Sequence, residues 1–186
     1  MNMVKDMALA CLVLAGVLAQ SPARAQVPVP AQAFVNAGAA KCLDFDLPGT
    51  AQNPDGVTLQ IWQCPPGYGT QPNQRWGLIP VGSNAWAIQN MATSRCIAVE
   101  GDSTANAALL VQRQCDFNNP SQLWSGSLAP SSTFGRSVTG KWVNVRSGKC
   151  MDAPYKTNGT VLQQYDCHPS GWWQQDFFIV FPVVGG

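Results

Sequence analysis

The chain has 186 residues, 46% of them hydrophobic and only 11% charged, and its formal charge is +1. A typical domain is about one-quarter charged. So few Lys and Glu residues argue against a helical fold, whose surfaces those residues fill. Gly 17 and Pro 14 suit a turn-rich, all-β chain, and a near-neutral balance with no basic run argues against the phosphate contacts that dominate nucleic-acid affinity.

In chain order, the N-terminus reads as a secretory signal peptide over residues 1–25. Lys5 gives it a positive start, residues 7–19 (MALACLVLAGVLA) form its apolar run, and Ala23 to Ala25 (ARA) have the small-x-small form of a cleavage site after Ala25. The apolar run is too short to span a bilayer, and Cys11 precedes most of it, which disfavours a lipid-anchored form. A secreted protein follows, with no membrane span. Residues 26–32 are expected to be a disordered linker and 33–186 one domain. Removing Cys11 turns seven cysteines into six, an even number that suits an exported chain.

Those six fall into three rows. Cys42, Cys96 and Cys150 are spaced by 54 and 54 residues, and Cys64, Cys115 and Cys167 by 51 and 52. A fixed period marks a repeat architecture. KCLDF (41–45), RCIAV (95–99) and KCMDA (149–153) surround the first Cys of each row. LQIWQC, LVQRQC and LQQYDC end on the second, and NQRW (73–76), SQLW (121–124) and QQDF (174–177) follow. Six cysteines allow 15 pairings by number alone. The rows favour Cys42–Cys64, Cys96–Cys115 and Cys150–Cys167, each closing a loop of about 20 residues. Zinc is the rival use, but knuckles need cysteines two to four residues apart. Strand-like text opens each row: 32–39, 85–93 and 141–148. About four short strands per row are expected. Asn158-Gly159 with Thr160 onward reads as a tight hairpin, and 177–184 (FFIVFPVV) as a closing strand.

Cys-x-Asp, Leu-Gln-x-aromatic-x-Cys and Gln-x-Trp, recurring in register over residues 33–182, resemble the ricin B-chain type lectin domain. The resemblance implies a β-trefoil: three pseudo-equivalent lobes with three intra-lobe disulfides, twelve strands, and a six-stranded barrel capped by three hairpins. It also implies one sugar site per lobe. A carboxylate accepts from two adjacent hydroxyls, an amide both donates and accepts, and a ring stacks on the sugar's C–H face.

In the first lobe the matching residues are Asp44, Gln60, Trp62, Asn73 and Gln74. In LQIWQC, Leu59 and Ile61 read as core while Gln60, Trp62 and Cys64 share the opposite face. In the third lobe the matches are Asp152, Gln163, Tyr165, Gln174 and Gln175, with Gln174 where the family has Asn and Phe177 a packing residue. Ala98, Val111, Arg113 and Ser121 replace the second lobe's counterparts, so that lobe is expected to be silent, with Gln122 and Trp124 structural. Both carboxylates should reach solvent beside an exposed ring.

His168, the only histidine, reads as a surface residue rather than a catalyst. Asp44 and Asp46 share a face, but nothing around them in sequence points to the raised pKa that glycoside hydrolysis needs. Trp172 and Trp173 are assigned to pocket rim or packing, and Asn158-Gly159-Thr160 is a glycosylation sequon. The expected protein is a secreted galactose- or N-acetylgalactosamine-type lectin with no catalysis and no cofactor. Two alternatives remain: a cell-surface-binding subunit that docks a toxin or enzyme partner, as in cytolethal distending toxin, and a trefoil inhibitor using the loop 125–140.

Overall fold

Alternation decides which face of each strand is buried. In Leu59–Gln63, Leu59 and Ile61 are fully buried, Gln60 is half-buried and Trp62 faces outward. The computed structural model describes residues 29–30, 33–46, 55–68, 71–82, 84–126, 129–130, 136–169 and 171–180. The expected signal peptide, 1–25, lies outside them.

The first lobe comprises strands Ala33–Asn36, Lys41–Phe45, Leu59–Gln63 and Trp76–Pro80. The second comprises Trp86–Asn90, Arg95–Val99, Leu110–Gln114 and Leu123–Ser125. The third has Val143–Asn144, Cys150–Asp152, a strand interrupted at Leu162 (Thr160–Val161 and Gln163–Tyr165), and Phe177–Val180. Phe177–Val180 pairs antiparallel with Ala33–Asn36, so the last lobe closes on the first. The described architecture is the expected all-β trefoil, with three short 3-10 segments at Pro72–Gln74, Glu100–Asp102 and Pro120–Gln122.

The core is built from equivalent positions of the three rows. Leu43, Ile97 and Met151 follow the first Cys. Leu59, Leu110 and Leu162 stand five before the second. Trp76, Trp124 and Phe177 end the closing motif, and all nine are at most 1% exposed. Burial of each such side chain stabilises by about 1.5–3 kcal/mol. The indole N–H groups of Trp76 and Trp124 donate to the carbonyls of Leu43 and Ile97. At Phe177 no indole is present to make that bond.

The six cysteines are paired within lobes as the rows indicate, with Cα–Cα distances of 5.0, 5.0 and 5.1 Å, inside the normal range. Three fully buried asparagines, Asn36, Asn90 and Asn144, each six residues before a first Cys, join adjacent lobes. The amide of Asn90 donates to the carbonyls of Pro72 and Arg75, while its oxygen accepts from the N–H groups of Ala92 and Thr93. Asn144 repeats this against Ser121 and Leu123, and Asn36 against Trp173 and Gln174.

Three expectations change. Asn158-Gly159 does form a turn, with φ +81° at Gly159, but not a two-residue hairpin. Cys150–Asp152 pairs with Gln163–Tyr165, and the strand leaving the turn pairs with Leu59–Gln63 of the first lobe. Loop 125–140 is not free along its length: Arg136–Gly140 pairs with Ala129–Pro130 and with Phe177–Val180. Val29–Pro30, within the stretch expected to be linker, pairs with Trp76–Pro80.

Candidate functional site

The first lobe brings its five expected residues together. Asp44, on the second strand, lies directly opposite Gln60 on the third. Gln60 Nε2 donates to Asp44 Oδ1 at 2.8 Å. Asn73 Nδ2 and Gln74 Nε2, from the 3-10 turn, donate to Oδ2 at 2.9 and 2.7 Å. Trp62, 45% exposed, stands beside the carboxylate. A cavity of about 430 Å³ opens between Asp44, Trp62, Pro65, Gln71 and Asn73. A smaller one of about 180 Å³ adjoins it, bounded by Asp44, Asp46, Gln60, Trp62 and Asn73.

The carboxylates do not reach solvent as freely as expected: Asp44 is 2% and Asp152 5% exposed. The amides that orient each carboxylate also cover it, so in the first lobe Asp44 lies at a pocket floor. Burial raises the Asp44 carboxyl above its ordinary value, donation from Gln60 and Gln74 opposes this, and Asp46 adds to the rise. The expectation of an unraised Asp44 is therefore corrected. Three N–H donors converge on its two oxygens and favour the ionised, accepting form, against the effect of burial.

Gln74 and Gln175 are 2% and 0% exposed and act from beneath. In all three lobes this glutamine donates to the carbonyl just before the second Cys: Gln63, Gln114 and Asp166. The amide oxygens of Gln122 and Gln175 accept from the N–H of the residue after that Cys, Asp116 or His168. Pro65 takes that place in the first lobe and has no N–H, and Gln74 Oε1 is buried without a partner. The Gln-x-aromatic motif therefore fastens each lobe as well as supporting the carboxylate.

The third lobe assembles its site differently. Gln163 and Gln175 donate to Asp152 at 3.0 and 3.2 Å. No hydrogen bond joins Gln174 to Asp152, and the Gln174 amide oxygen is buried without a partner. Tyr165 is 36% exposed. His168 stacks against it with centroids 6.0 Å apart, and Trp172 stacks on His168 at 4.0 Å. His168 and Trp172 occupy the places of Pro65 and Gln71, so two rings stand where the first lobe is open. Sequence reading placed His168 on the surface; its position one residue after the second Cys, shared with Pro65, is the signal that it faces the site. Trp173 packs away from it, under Lys156 Nζ at 4.5 Å from its ring centre and against Gly38.

Each site has a wall from another lobe. The turn eight residues before each second Cys carries a left-handed residue: Gly56, Ala107 and Gly159. A Cβ at Gly159 would lie 3.6 Å from the Trp62 ring. Asn106, from the second lobe's turn, bonds the carboxylate and the N–H of Asp166 next to Tyr165.

Three linked repeats, with an exposed ring over an amide-held carboxylate in two of them, define a lectin-like β-trefoil. The family described as ricin-type beta-trefoil lectin domain-like matches residues 26–93 and 72–165, and the chain belongs to that family. Comparison with curated proteins finds no match. Among solved structures, the designed threefold-symmetric protein ThreeFoil matches with a TM-score of 0.65 and 23% identity, over 81% of this chain and 97% of that one. A non-toxic type II RIP homologue from Momordica charantia, in complex with alpha-methyl-D-galactoside, matches at 0.56 and 20%, over 80% of this chain and 46% of its own. Cytolethal distending toxin from Actinobacillus actinomycetemcomitans matches at 0.57 and 14%, over 83% and 92%. Among the described residues, no helix is long and apolar enough to cross a membrane.

Proposed function

We propose that this protein is a secreted, non-catalytic lectin that binds galactose- or N-acetylgalactosamine-type sugars through its first and third lobes. The observation that carries this is Asp44, held by Gln60, Asn73 and Gln74 beside the exposed Trp62 in an open pocket. The carboxylate accepts from adjacent hydroxyls, Asn73 and Gln60 complete the polar edge, and the indole covers the sugar's apolar face. In the third lobe Asp152, Gln163 and Tyr165 play the same parts, and Gln175 fixes the carboxylate. Gln174 is left to packing. The galactoside in the Momordica homologue's complex supports the ligand class. Shallow single sites of this kind bind at about 10 µM to 1 mM.

A cell-surface-binding toxin subunit is the second reading, favoured by the likeness to cytolethal distending toxin. It would keep the trefoil and add a partner chain. A glycan array with wild type, Trp62→Ala and Tyr165→Ala tests the first reading. Galactoside binding is expected, weakened about tenfold or more in the altered lobe by each substitution, in a chain that still folds because neither ring belongs to the core. Wild type that ignores every glycan but captures one protein partner would favour the second.

A further inference from the structure

The second lobe has lost its Asp, Gln and aromatic, yet it is not filled in. A cavity of about 370 Å³ lies there, close in size to the first lobe's 430 Å³. A new carboxylate reaches it. After Arg95–Val99 the chain turns through Gly101 and Asp102, both left-handed with φ of 61° and 54°, and this brings Asp102 into the pocket lining. Ser121 Oγ and Asn119 Nδ2 donate to Asp102 Oδ1. Ser121 is the counterpart of Asn73, so the residue that holds Asp44 in the first lobe has an equivalent holding Asp102 in the second.

Arg113 takes the place of Trp62 and Tyr165. It is half-buried, lines the cavity, and its guanidinium makes no hydrogen bond or ion pair to another described residue. It lies over the first lobe's turn as Trp62 lies over the third's: a Cβ at Gly56 would be 3.5 Å from its Nη1. Asp55 on that turn is paired with Arg95 at 2.5 Å. Arg113 and the exposed Arg146 act electrostatically on Asp102. The first lobe's pockets, by contrast, have no basic residue in their lining.

We infer that the second lobe is a rebuilt site for an anionic saccharide, one bearing a carboxylate or sulfate, with Arg113 pairing the acidic group and Asp102 accepting sugar hydroxyls. The planar guanidinium can take over the lost ring's place flat against a sugar, and it adds two N–H groups that bond an oxyanion. This rests on the fold's reading as a carbohydrate binder and extends it to a second ligand class.

The test uses Trp62→Ala plus Tyr165→Ala, which disables the other two lobes at exposed positions. It is titrated with a sialylated, a glucuronylated and a sulfated galactoside, and with the neutral parent sugar. At least one anionic ligand is expected to bind and the neutral one not, with binding weakened by salt. Adding Arg113→Ala should reduce that binding at least tenfold, Arg113→Lys less. The carboxylated and sulfated probes tell the two oxyanion sources apart. A double variant blind to every anionic sugar, while wild type still binds neutral galactosides, overturns this inference alone. Anionic binding that survives Arg113→Ala also overturns it. Wild type that binds no sugar removes the lectin reading as well.

Discussion

Asp44 is a buried carboxyl whose environment works in two directions. Burial raises it above the ordinary value of 3.8, while Gln60 and Gln74 favour the charged form. A raised carboxyl takes up a proton more readily in the folded chain, so the ionised Asp44 weakens the fold at neutral pH. That penalty relaxes as pH falls through the raised value. The proposed sugar binding needs the ionised form. First-lobe binding is therefore expected to fall on acidification with a midpoint above 3.8, while protonation of this residue costs the fold no stability. Titration of a Tyr165→Ala protein by calorimetry across pH 3.5–7 checks it, and a midpoint below 3.8 would contradict it. Asp102 behaves oppositely. Ser121 and Asn119 hold it below the usual range, so its contribution to the fold persists until pH drops through that lowered value. The three asparagines belong to the same scale. Asn90→Ala would take the partner from the N–H groups of Ala92 and Thr93 and remove one of the donors to the Pro72 and Arg75 carbonyls, a loss of about 1–3 kcal/mol in chemical denaturation. Asn36, Asn90 and Asn144 sit at the cysteines' own 54-residue period and were legible in the sequence by that spacing.

At the scale of elements, each lobe is a set of short strands that cannot bury enough by itself, closed by a disulfide of 17 to 22 residues' separation. The chain-entropy model gives about 3 kcal/mol for such a loop. Cys96→Ser with Cys115→Ser should lower stability by about that amount, read from the denaturation midpoint. The Leu59–Gln63 strand shows how much an element's sequence says: alternation alone put Leu59 and Ile61 inside and Trp62 outside. The Asn158-Gly159 turn shows the limit. Its left-handed glycine was readable, but its neighbour strand comes from the first lobe, about 100 residues away, which no local pattern encodes. For the same reason a turn in one lobe becomes the wall of another's pocket.

At the scale of the whole molecule, pseudo-threefold symmetry separates two jobs. The core triads and the Gln-x-aromatic fastening repeat in every lobe, because each lobe must bury the same face. The pocket residues are free to diverge, and they do: an open indole pocket in the first lobe, an arginine in the second, a Tyr165–His168–Trp172 stack in the third. The two sites proposed for neutral sugars, carried on one chain, would act together on a dense glycan surface. On such a surface Trp62→Ala or Tyr165→Ala alone should lower apparent affinity about tenfold or more. In solution with monovalent sugar, each should simply halve the number of sites. Surface plasmon resonance at two ligand densities distinguishes these.

The sequence by itself determined the threefold repeat, the cysteine pairing and the inward Leu59 and Ile61, because spacing within a row fixes each, while the residues that meet at Asp44 were legible through the resemblance to the ricin-type family. Only the tertiary structure decided how deeply the carboxylates sit, that Asp102 and Arg113 share a cavity, and that His168 stands between two rings. Those outcomes depend on contacts between lobes and on the paths of turns, where burial and hydrogen bonding are set by residues far apart in the chain.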